Sequence, residues 1–124
     1  MSKDGKEFDL EERLINFAVR IIQISGKLPN TKIGNHIADQ MGRSGTSPAP
    51  NYGEAQAAES RRDFIHKMKL CLKELRETKV WLRIIEKAKL LKQTQEVQAT
   101  LDENDQLIAI FVSSITTARK NKIS

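Results

Sequence analysis

Seven side chains in the second half of the sequence share a line that could do chemistry. Arg62, His66, Lys69, Lys73, Arg76, Arg83 and Lys87 recur at spacings of three, four or seven residues, which on a helix stacks them on one face. Val80 alone interrupts the track. Between residues 60 and 92 there are eleven Lys and Arg against four Asp and Glu, a net of +7 in a chain whose total is +5. Like charges at i,i+4, such as Lys69 and Lys73, cost on the order of 0.3 kcal/mol each. Three readings of such a ridge compete: a solvated face, which is its commonest fate; a surface that binds phosphate; and a seam against an acidic neighbouring subunit. No aromatic residue interleaves the basic ones, so base stacking is not expected. Nucleic acid would be held by its backbone charge, with little regard to sequence. The candidate nucleic-acid-binding residues are Arg62, Lys69, Lys73, Arg76, Arg83 and Lys87.

The convergent polar groups that catalysis needs are not legible. Zinc ligation would need grouped Cys and His, and the chain has one cysteine, Cys71, and two histidines, His36 and His66. There is no Glu-x-x-His pair for a di-iron bundle and no glycine-rich phosphate loop. Cys71 lies on an apolar stripe and reads as a small hydrophobe. The two histidines read as surface or edge residues, and Trp81 as core filler or interface. The expectation is therefore a protein that is not an enzyme, with no metal and no cofactor.

The ridge needs a frame to hold it out. At 124 residues the chain has room for one domain, 1–124, and for a core without staples. Aromatic residues are 5%, so that core must be aliphatic. One cysteine allows no internal disulfide and suggests a cytoplasmic protein. Nothing in the sequence reads as a signal segment or as a membrane span.

Four segments carry helical periodicity. The first is expected over 9–28, capped by Asp9, with Leu10, Leu14, Phe17, Ile21, Ile24 and Leu28 on one stripe, widened by Ile15, Ala18 and Ile22. The second is expected over 31–59, capped by Asn30 or Thr31, with Ile33, Ile37 and Met41 buried. Pro48 and Pro50 imply either one kinked helix, which the surviving register favours, or two helices. Gly42, Gly45 and Gly53 are expected to let helices approach closely. The third, over 61–91, has Ser60 as cap and Asp63 three residues on. Phe64, Met68, Cys71, Leu75, Thr78, Leu82 and Ile85 form its stripe, flanked by Leu72, Trp81 and Ile84. The fourth, over 95–121 with Thr94 as cap, carries Val97, Leu101, Asn104, Ile108, Phe111, Ile115 and Ala118. Asn104 is a polar residue on that stripe, suited to fixing register. A frayed tail is expected from Asn121. Four amphipathic helices on short links predict an all-α, antiparallel up-and-down four-helix bundle with a proline-kinked second helix.

Two stretches, DQMGRSGTSPAPNYGEA (39–55) and SRRDFIHKMKLCLKELRETKVWL (60–82), give the chain a further likeness. It resembles the four-helix-bundle family first noted as products of intervening sequences in 23S rRNA genes, to which the accessory protein of diversity-generating retroelements is distantly related. The likeness runs from about Phe8 to Lys120. Arg43, Ser47, Asn51 and Glu54 stand where the family has its Arg, Ser, Asn and Glu. Phe64 and Ile65 after a basic pair also match. Ala49 between Pro48 and Pro50 departs from the single proline usual there, and Ala55 replaces the family's glycine. The resemblance implies a continuous kinked second helix, a ring-shaped homopentamer and no established catalytic activity. For the retroelement relative it implies binding of RNA or DNA and of a reverse transcriptase. Ser47, Asn51 and Glu54 are expected to be structural, capping and bonding backbone freed by the prolines. Two functions follow as expectations: a non-catalytic oligomeric bundle binding nucleic-acid backbone, or a protein-interaction adaptor that never touches nucleic acid.

Overall fold

A computed structural model describes the backbone of residues 2–121 and the side chains of residues 10–121. Within it the chain forms α1 (Ser2–Lys27), α2 (Lys32–Thr46), α3 (Pro48–Gln56), α4 (Arg61–Lys87) and α5 (Gln95–Lys120), with no strand among the described residues. α1 starts well before Asp9, so that residue lies inside the helix instead of capping it. Its side chain, like the tail beyond Asn121, is outside the described residues.

Two caps follow the sequence. Thr31 Oγ1 accepts from the Gly34 N–H at 3.0 Å, and Ser60 Oγ accepts from the Asp63 N–H at 3.0 Å. Gly34 is forced by space: a Cβ there would lie 2.0 Å from the Pro29 carbonyl oxygen. Thr94 precedes α5, but its side chain makes no capping bond.

The proline segment resolves as one rod bent at Ser47. That residue keeps right-handed helical angles, φ −77° and ψ −26°. The ladder runs through it, from the Ser47 N–H to Arg43 O (3.2 Å) and from the Asn51 N–H to Ser47 O (3.1 Å). Pro48 and Pro50 have no N–H to give, so two rungs are missing and the rod kinks. It stops at Gln56, short of 59. α4 also ends early, at Lys87 and not 91. Lys89 turns left-handed with φ 54°, its N–H bonds Glu86 O, and the Leu90 N–H reaches back to Ile85 O at 3.2 Å. This is a Schellman closure with lysine where glycine is usual.

α1 borders α2, α3 and α5; α4 borders the same three, so α1 and α4 stand diagonally across the bundle. Neighbours run antiparallel. Arg13 meets Glu103 while Lys27 meets Glu96, and Arg43 meets Glu77 while Glu54 meets Lys67. The core lies along the axis: Leu14, Phe17, Ile21 and Ile24 of α1, Met41 of α2, Tyr52 of α3, Met68, Cys71, Leu75, Leu82 and Ile85 of α4, and Val97, Leu107 and Phe111 of α5. Three aliphatics assigned to buried faces are not there. Ile15 and Ile22 point outward from α1, and Ile33 is 63% exposed at the start of α2. On α5 the buried line runs through Thr100 and Leu107, with Leu101 and Ile108 half-buried beside it.

Polar pins set the register. The Asn104 amide, oriented as its neighbours require, donates to Leu75 O (3.2 Å) and accepts from the Lys79 N–H (3.1 Å), the two ends of a single α4 rung. Asp105 then takes the Lys79 ammonium at 2.8 Å. On the other side of α4 the Thr78 hydroxyl donates to Glu74 O, and its oxygen lies 2.8 Å from Ser44 Oγ of α2, with both hydroxyls buried.

Of the glycines expected at close approaches, only Gly45 is one. A Cβ there would lie 2.7 Å from Ile21 Cγ1, whereas at Gly42 and Gly53 it would meet nothing within 4 Å. Gly45→Ala should therefore destabilise the fold, because overpacking against a buried isoleucine costs about 1–3 kcal/mol and outweighs a helix-propensity gain of about 1 kcal/mol. Gly42→Ala, with only the gain, should stabilise it. Urea denaturation of the two variants reads both signs.

Candidate nucleic-acid interface

The α4 ridge lies two positions on from the buried track, about 200° around the helix axis. Arg62, Lys69, Lys73, Arg76, Arg83 and Lys87 are all exposed, as is His66. Among the described residues none of the six makes a hydrogen bond or an ion pair. The other cations of α4 differ. Lys67 binds Glu54 at 2.8 Å, Lys79 binds Asp105, and Arg61 donates to the Asn121 carbonyl.

Two of the four acids of α4 are held from α2. Arg43 of α2 reaches across to Glu74 (3.0 Å) and to Glu77. Trp81 Nε1 also donates to Glu77, at 3.3 Å, and the Trp81 ring meets His36 edge-on with centroids 6.0 Å apart. Burial pushes the Glu77 carboxyl up, but hydrogen bonds from Arg43 and Trp81, with the charges of Arg43 and Lys73, hold it below its usual value. Arg43 offsets one of these two carboxylate charges, and the six ridge cations outnumber the four acids of α4.

The motif residues divide. Arg43 and Glu54 clamp α2 and α3 onto α4 on either side of the bend. Among the described residues Ser47 Oγ is buried without a hydrogen-bond partner, and Asn51 makes no side-chain hydrogen bond. None of the three expected to serve the proline-freed backbone bonds it.

Cys71 is buried, its thiol 3.6 Å from the Pro48 carbonyl, and burial pushes its pKa up to about 12. It is a neutral thiol, without nucleophilic character at neutral pH. Among the described residues no three His, Cys, Asp or Glu gather as metal ligands, and no helix is long and apolar enough to cross a membrane.

Two features of this face escaped the sequence reading. Val80, 57% exposed, joins Ile84 and Ala88 as the floor of a groove of about 550 Å³ edged by Arg83 and Lys87. At the opposite end of α4, a cleft of about 420 Å³ is lined by Arg61, Arg62, Ile65 and Lys69 together with Arg119 from the end of α5. The antiparallel pairing of the last two helices was the available signal, since it brings the last turn of α5 to the first turn of α4.

The sequence profile of a family described as 23S rRNA-intervening sequence protein matches residues 6–113. A similar solved structure is that of a protein of unknown function from the S23 ribosomal protein family of Bacteroides thetaiotaomicron. The two are 30% identical with a TM-score of 0.78, over 86% of this chain and 97% of that one. Among curated proteins there is no match.

The depressed Glu77 carboxyl ties the α2–α4 seam to pH. A carboxylate held below its unfolded value of about 4.3 contributes stability that is complete above that pH and lost as pH falls through the folded value. Arg43→Ala should lower the urea midpoint at neutral pH. The gap between variant and native protein should narrow below pH of about 4. A gap constant down to pH of about 3 would detach Glu77 from Arg43.

Proposed function

Since the chain belongs to the family of 23S rRNA-intervening sequence proteins, we propose that it is a non-catalytic, self-associating bundle of the cytoplasm that binds the RNA or DNA backbone through the outer face of α4. The supporting observation is the ridge itself: six exposed cations without hydrogen-bond or ion-pair partners among the described residues, with Glu74 and Glu77 of the same helix held by Arg43 of α2. Bringing phosphates to such a line relieves its self-repulsion and releases counterions from the nucleic acid. The buried, neutral Cys71 supports the non-catalytic part.

Self-association has its own support. Ile15, Val19 and Ile22 form an exposed aliphatic line on α1, the kind of surface that another copy would cover. The homopentamer implied by the resemblance is the assembly proposed. A second reading, an adaptor for a protein such as a reverse transcriptase, is favoured by the apolar groove at Val80, Ile84 and Ala88.

Fluorescence anisotropy with a short labelled RNA across a salt series tests the leading reading. If about four phosphates are neutralised, log K should fall against log salt with a slope near −3 to −4. Lys73→Glu with Arg76→Glu should abolish binding. A salt-independent affinity, or no binding at low salt, removes the proposal. The adaptor reading gains if a pulled-down protein survives nuclease treatment and is lost on Val80→Asp while the double charge reversal keeps it.

A further inference from the structure

We propose that the cleft where α4 begins and α5 ends is a site for a phosphate monoester, the charged terminus of a nucleic-acid strand whose backbone then follows the ridge. The inference deepens the ridge reading and rests on it. Along the ridge each cation stands alone on one convex helix face. In the cleft two helices contribute, so Arg61, Arg62 and Lys69 of α4 and Arg119 of α5 line one concavity together with Ile65. Among the described residues no carboxylate lines it. Arg61 is held by the Asn121 carbonyl, whereas Arg62, Lys69 and Arg119 make no hydrogen bond or ion pair among the described residues. Three uncompensated cations around one hollow repel one another, and an anion of matching charge relieves them.

The charge selects the ligand. A monoester carries about −1.5 to −2 near neutral pH and offers three acceptor oxygens. An internal diester carries about one charge and so offsets fewer of the three cations. Guanidinium groups suit the monoester further, since each can donate two parallel bonds to its oxygens. Lys69 belongs to both cleft and ridge, so a strand anchored by its end would run on towards Lys73 and Arg76.

The experiment compares one short RNA bearing a hydroxyl at both ends with the same RNA phosphorylated at its 5′ or its 3′ end, at one salt concentration. An end phosphate should tighten binding about tenfold. That ratio should fall to about one in Arg119→Gln, which lies off the ridge. A ratio near one in the native protein overturns the site, as does a tenfold ratio that survives in Arg119→Gln. If neither RNA binds at low salt, the ridge reading fails, and inorganic phosphate alone decides the cleft. Shifts of the Arg62 and Arg119 side-chain Nε–H signals at millimolar phosphate, lost in Arg119→Gln, sustain it; unmoved signals overturn it. Retained helical circular dichroism establishes that the variant folds, and Arg119→Lys, keeping charge without the fork, should retain part of the ratio.

Discussion

Each helix of this bundle hides one line of side chains and must show the rest, and from that constraint the other properties of the molecule follow. On α4 the hidden line is Met68, Cys71, Leu75, Thr78, Leu82 and Ile85, recurring every three or four residues. Removing an aliphatic side chain of this kind from water contributes about 1.5–3 kcal/mol. Facing the axis commits α4 to its neighbours on that side, and the residues two positions on are then turned to solvent. The cationic ridge is in this sense the reverse of the core: one periodicity writes both.

An aliphatic line alone leaves the helices free to slide by a turn. The buried polar groups remove that freedom. Asn104 accepts and donates at one rung of α4, and Ser44 meets Thr78 on another side of the same helix. A slip would leave these groups unpaired away from water, each at about 1–3 kcal/mol. Arg43 and Glu54 add charged clamps that face solvent more and so contribute less. α4 is pinned from both sides, which makes the spacing of charges along its outer face a fixed quantity.

The helices were legible where apolar spacing ran unbroken, as on α4, and the exposure of the ridge followed from the same spacing. Errors arose where residue type does not carry the answer. Ile15, Ile22 and Ile33 are aliphatic but face outward, because sequence marks a side chain as apolar without saying whether a neighbour covers it. The end of α4 was missed because the left-handed position is a lysine, Lys89, and offers no glycine signal. Ser47 and Asn51 sit at the bend without bonding its backbone, which no residue count could reveal. The Arg61–Arg119 cleft joins residues almost half the chain apart, so it existed only once the meeting of helix ends was known.

The chain has a single tryptophan, Trp81, and the fold sets it at the α2–α4 seam, edge-on to His36 and bonded to Glu77. Its ultraviolet emission is therefore a native gauge with one source. Parting of the two helices would alter the quenching by imidazole and the polarity around the indole together, without a label and without disturbing the outward face of α4. A seam that opened when the outer surface was occupied would announce itself in that one band, and a rigid one would leave it still.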